Sequence, residues 1–117
     1  MRPVKYNLPD IWQGKTYHIP VAFKDRFSQE ISLVGYSARM QIRPSVESDV
    51  VTIELTTQNN RITIDGPNGI VTLFISDTDT SALPPGSFKY DLELISGSGL
   101  VYCPFFGSVK VKAEVTR

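Results

Sequence analysis

The chain has 117 residues, 41% of them hydrophobic and 21% charged, the size and make-up of one globular domain and not of a disordered segment. Twelve Lys and Arg balance twelve Asp and Glu, so no cationic footprint for nucleic acid or an anionic membrane is present. Cys103 is the single cysteine, which excludes an internal disulfide and favours folding in a reducing cytosol.

The N-terminal residues hold no apolar stretch of signal-peptide type, and no apolar run approaches the length that spans a membrane. Residues 4–9, with proline near both ends, read as an edge strand or as part of an extended arm (1–10) reaching a neighbour. Residues 10–14 read as a loop. From 15 to 24 the chain alternates, with Tyr17, Ile19, Val21 and Phe23 on one face and Pro20 on the other. Proline cannot donate to a ladder, so this run is predicted to be an edge strand or to carry a bulge.

Residues 25–30 form a polar loop or hairpin. Tyr36, Ala38, Met40 and Ile42 then alternate with Ser37, Arg39, Gln41 and Arg43, a strand ended by Pro44. Residues 51–55 and 61–64 are short strands around a turn-prone tip at 58–60, and 65–69 is another turn. The nearly all-apolar 70–75 is expected at the centre of a sheet. Residues 76–83 hold the one helical stretch, a turn or two with a capping serine, acids at Asp77 and Asp79, and a proline stop.

The clearest strand is 88–94. Phe88, Tyr90, Leu92 and Leu94 face one way and Lys89, Asp91 and Glu93 the other, between breaks at 84–86 and 97–99. Strands at 100–106 and 109–115 close the chain; in the last, charges alternate with valines and would discourage edge pairing. About eight short, mostly antiparallel strands define an all-β fold, an immunoglobulin-like β-sandwich in a single domain, with a small barrel as the alternative.

The residues offer little chemistry. Nucleophilic catalysis needs a base beside the nucleophile, yet His18 is the only histidine and falls on the polar face of its strand. Cys103, between Tyr102 and Pro104, reads as an apolar side chain and not as a reactive thiol. Asp77 and Asp79 have calcium-loop spacing but lack the glycine and distal glutamate of such a loop, and helix capping accounts for them. Asp91 and Glu93 share a face that points to water. No enzyme, cofactor or metal is therefore expected.

Trp12 is either a plug closing the core or a contact for a partner or a sugar ring. The stripe of Arg39, Gln41 and Arg43 is either a solvated face or a contact surface for an acidic partner.

Five stretches carry a resemblance: Asp10-Ile-Trp-Gln-Gly-Lys-Thr-Tyr17, Leu33 to Arg43, Ile62 to Leu73, Ala82 to Leu94, and Gly107 to Arg117. Together they resemble small structural proteins of tailed phages and prophages, and the immunoglobulin-like N-terminal domain of phage baseplate upper proteins. The resemblance implies a non-enzymatic virion protein, made in the host cytoplasm and acting in assembly at the tail, baseplate, neck or capsid surface. Its partners would be other phage structural proteins, in a symmetric homo-oligomer or in many copies, with no nucleic acid and no membrane. The residues expected to make contacts are Val4, Tyr6, Leu8 and Trp12 as arm or anchor, and Arg39 and Arg43 on the stripe. A carbohydrate- or receptor-binding sandwich is the rival; it would need a row of exposed aromatics, which the alternation does not supply.

Overall fold

A computed structural model describes residues 3–25 and 27–116. In chain order its strands are β1 (Val4–Lys5), β2 (Ile11–Trp12), β3 (Tyr17–Ala22), β4 (Ser37–Arg43), β5 (Ile53–Thr56), β6 (Ile62–Asp65) and β7 (Ile70–Ile75). A short helix, α1 (Asp77–Ser81), precedes β8 (Gly86–Ile95) and β9 (Val101–Lys112). They form two sheets, ordered β1-β9-β8-β4-β5 and β3-β7-β6, with β2 also paired to β9. All pairings are antiparallel except those of β1 and β2 on β9. The chain is an all-β sandwich.

Alternation along each strand builds the core between the sheets. Ala38, Met40 and Ile42 of β4 and Phe88, Tyr90, Leu92 and Leu94 of β8 face Val71, Leu73 and Ile75 of β7, all buried. Each fully buried aliphatic or Phe side chain contributes about 1.5–3 kcal/mol, so this two-sided layer is the main stabilising term. Pro20 is on β3, and β3 is the edge of its sheet, so the missing N–H falls where no ladder needs it. The apolar 70–75 run becomes the central strand of the same sheet.

Two expectations are corrected by the strand pairing. The last two predicted strands are one, β9, which pairs with β8 along its length. Leu92 faces Phe105 but Leu94 faces Tyr102, so Cys103 and Pro104 together oppose Glu93. This bulge places a proline where its missing donor is tolerated and flips the alternation between the two halves of β9. That flip is why the pattern reads as two strands. The charged end of β9 is not a bare edge either, because β1 and β2 cover its free side.

The segment expected to be a loop at 10–14 contains β2, with Ile11 completely buried. The strands around the tip at 58–60, β5 and β6, lie in different sheets. The tip between them carries the chain from one sheet to the other, and Asn59 pins it. Its Oδ1 accepts from the amides of Thr56 and Arg61, both at 3.0 Å, and its Nδ2 donates to the Glu54 carbonyl at 2.9 Å.

The N-terminal stretch lies along β9. Tyr6 N donates to Phe106 O at 2.8 Å, Leu8 N to Ser108 O at 3.0 Å, and Asn7 Oδ1 accepts from Ser108 N at 3.1 Å. Two buried tyrosines hold it from inside, Tyr90 through the Tyr6 carbonyl and Tyr17 through the Pro9 carbonyl at 2.8 Å. Burial pushes both phenols well above their usual range; Tyr6 adds to it for both, with Tyr90 and Asp10 adding for Tyr17 and Cys103 for Tyr90. Gly107 makes the close approach possible, since a Cβ there would stand 2.5 Å from the Tyr6 carbonyl oxygen.

The helix seals one end of the sandwich. Ser76 Oγ accepts from Asp79 N at 3.1 Å as its cap, and buried Thr80 donates to the Lys15 carbonyl at 2.9 Å. Arg61 Nη2 reaches Asp79 at 2.9 Å, and that hydrogen bond holds the Asp79 carboxyl below its ordinary value.

Candidate interaction surface

The outer face of the six-stranded sheet is an open concavity where charged side chains stand in cross-strand register. Arg39 is opposite Glu93, Gln41 is opposite both Asp91 and Glu54, and Arg43 is opposite Lys89. β9 adds Phe106 beside Asp91 and Ser108 beside Lys89. The register puts Lys5 of β1 next to Phe106 on the same face.

Most of these groups are tied together. Arg39 forms an ion pair with Glu93. Gln41 Nε2 donates to Glu54 at 2.8 Å, while its Oε1 accepts from Arg43 Nη2 at 2.6 Å and Nε at 3.1 Å. Arg43 also donates to the Ser48 carbonyl, and Lys89 to Ser108 Oγ at 2.8 Å. Such partly exposed pairs are worth about 0–1 kcal/mol each. Their effect is to fix the positions of the charges more than to stabilise the fold.

Asp91 and Lys5 are the exceptions, with no side-chain hydrogen bond or ion pair among the described residues. Partial burial raises the Asp91 carboxyl above the ordinary value and Glu93 adds to the shift, while Arg43 and Arg39 oppose it. Burial likewise pushes the Cys103 thiol up, reinforced by Asp91 and Glu93, so the thiolate that a nucleophile requires is disfavoured. Exposed Phe106, 41% accessible, gives the face an apolar element.

The six residues expected to make contacts divide into three groups. Arg39 and Arg43 come together on this face. Val4 and Tyr6 lie exposed along the β1 edge, Tyr6 packing on Phe105 with ring centroids 5.6 Å apart. Trp12, at 50% exposure, is not a plug; Ile11 beside it is the residue that enters the core. Leu8 is corrected: it is 7% exposed and belongs to the core, turned inward as the chain leaves β9 toward the buried Ile11. These residues do not form one arm surface. Nor does Trp12 gain Tyr17 as a stacking partner, because Tyr17 is buried and its hydroxyl is engaged.

Glu54 and Phe106 were not singled out in the sequence, and Lys89 was read only as an outward-facing residue of its strand. They join the face only through strand order, since they come from β5, β8 and β9, and no local pattern gives that order. His18 is exposed on β3, as its alternation requires. Among the described residues no group of three or more His, Cys, Asp and Glu is placed to hold a metal ion, and no helix is long and apolar enough to cross a membrane. Comparison with known protein families and with curated proteins finds no match to this chain.

Proposed function

We propose that the chain is a non-enzymatic structural protein of a tailed-phage particle, acting in assembly at the tail, baseplate, neck or surface through protein–protein contacts. The sequence resemblance supplies the phage part of this reading, and the observation that carries its docking part is the outer face of the six-stranded sheet. It is a broad array of charges held in fixed positions, with an exposed aromatic among them, on a rigid two-layer scaffold. Such a face suits docking, where charge arrangement selects the partner and excludes wrong ones.

The strand order supports the immunoglobulin-like part of the resemblance. The order β3-β7-β6 is compatible with strands B, E and D, and β9-β8-β4-β5 with G, F, C and an added strand of variable-type domains. The disulfide that links the two sheets of antibody domains has no counterpart, and burial of Leu92, Met40 and Leu73 fills the interior.

Mass spectrometry of purified particles, from a host carrying the coding sequence, tests the proposal. The chain is expected at a fixed multiple of the other structural proteins and resistant to washing. A chain found only in the cell lysate, with particles complete without it, overturns the reading.

A further inference from the structure

We propose that the outer face of the six-stranded sheet is self-complementary, and that two copies of this chain associate through it face to face. The inference builds on the docking reading of this face and names the partner as a second copy.

The charges on the two central strands differ. The outer positions of β4 are Arg39, Gln41 and Arg43; those of β8 are Lys89, Asp91 and Glu93. A two-fold axis running along the strands, midway between β4 and β8, lays each copy's β4 over the other copy's β8 at equal height. Arg39 then faces Glu93 of the second copy and Gln41 faces its Asp91, because these residues are already in register within one sheet. An isologous interface needs such a self-matching patch, in which residue i meets j and j meets i.

The like-charged row, Arg43 with Lys89, falls at one end. There Arg43 lies one alternate position from Asp91 of the second copy, within reach of an arginine side chain, while Lys89 is held by Ser108. A two-fold axis perpendicular to the strands through the Gln41–Asp91 row would instead set Arg39 against Arg43 and Asp91 against itself, with only Lys89 and Glu93 matched, so the charges favour the parallel axis.

Asp91 supplies a second reason. It is the carboxylate on this face without a bond among the described residues, between the apolar ring of Phe106 and the acid of Glu93. It is exposed and solvated in the single copy, and a guanidinium or amide from a second copy would take the place of that water. The outer face of the other sheet offers no comparable match, being built from His18, Pro20, Thr63, Thr72 and Phe74 and nearly free of charge. One sheet face is at the small end of specific interfaces, so the dimer is expected to be weak and to appear above micromolar concentration.

Sedimentation velocity on the full chain, from low micromolar to near-millimolar concentration, reads the association directly. Two variants then test its geometry: Arg39→Glu with Arg43→Glu, and Asp91→Lys with Glu93→Lys. Each alone is expected to weaken association about tenfold or more through like-charge repulsion, and an equimolar mixture to restore it as a heterodimer. Circular dichroism melts confirm that both variants fold. Should either fail to fold, a dilution series of the unaltered chain followed by amide NMR replaces it, with shifts expected at 39–43 and 89–93. A strictly monomeric chain, a dimer indifferent to both variants, a mixture that stays monomeric, or shifts confined to the other sheet each overturn the proposal. A monomer that is nevertheless built into particles would overturn the dimer alone and leave the particle role standing.

Discussion

On the outer face of the six-stranded sheet, β4, β5 and β8 present arginines, lysine and carboxylates that meet across strands. On the outer face of the three-stranded sheet, β3, β6 and β7 present His18, Pro20, Ala22, Thr63, Thr72 and Phe74, with Asp65 at one corner. Both sheets obey the same period of two, and both bury an apolar row against the other. The difference shows what the period leaves open. Burial dictates the inner residues of both sheets, while the outer ones answer to cross-strand partners and to whatever the face meets. The neutral face protects its edge with Pro20, and the charged face covers its edge with β1 and β2.

The largest expected effects test whether the inner rows are as alike as the outer ones differ. Leu94→Ala on β8 and Leu73→Ala on β7 remove side chains that are almost wholly buried. Each is expected to cost about 2–5 kcal/mol in urea unfolding. A loss well under that range in one variant alone would show that one sheet carries the core without the other.

Gly107→Ala comes next and acts only on the charged sheet. The new methyl group would push the Tyr6 carbonyl off β9, at an expected cost of about 1–3 kcal/mol. Amide exchange should quicken at Tyr6 and Leu8, whose N–H groups bond to β9, with little change in β3, β7 and β6. Unchanged protection at Tyr6 would mean that β1 yields without detaching.

The inner rows were legible in the sequence because side-chain direction is local. Alternation alone placed Phe88, Tyr90, Leu92 and Leu94 inside, and the Ser76 cap and the acids of its first turn placed α1. What was not legible depends on strand order. The bulge at Cys103 and Pro104 hid the continuity of β9, since one extra residue reverses the alternation and mimics a break. Leu8 was misjudged, and Trp12 was left open between plug and contact, because β2 and the end of the N-terminal stretch are too short for periodicity, and a tertiary contact decides which of two neighbouring apolar residues turns inward. Arg39, Arg43, Asp91 and Glu93 could be assigned to polar faces. That Glu54 and Phe106 share one surface with them follows from β5 and β9 flanking the central pair.

The smallest effect sharpens the account of the charged face. Because burial and Glu93 raise the folded-state value of Asp91, the native chain holds a proton over a pH window in which the unfolded chain has released it. That window lies between the ordinary Asp value and the raised one. Stability rises when the native state binds more protons, so this group's contribution improves as pH falls through the window and is unfavourable above it. Asp79 has the opposite sign. The Arg61 hydrogen bond lowers its value, so its contribution is present above the ordinary Asp value and is lost as pH falls below it. The two windows do not overlap, so two variants separate them. Asp91→Asn is expected to raise the melting temperature slightly near neutral pH and to abolish the improvement on mild acidification. Asp79→Asn should lower it near neutral pH and flatten the loss at stronger acid. Both are read at dilutions where the chain is monomeric, so that Asp91 is judged without a second copy covering it. If Asp91→Asn lowers stability at neutral pH instead, the carboxylate is already well compensated by Arg39 and Arg43 within its own chain, and its need for a group from a second copy disappears.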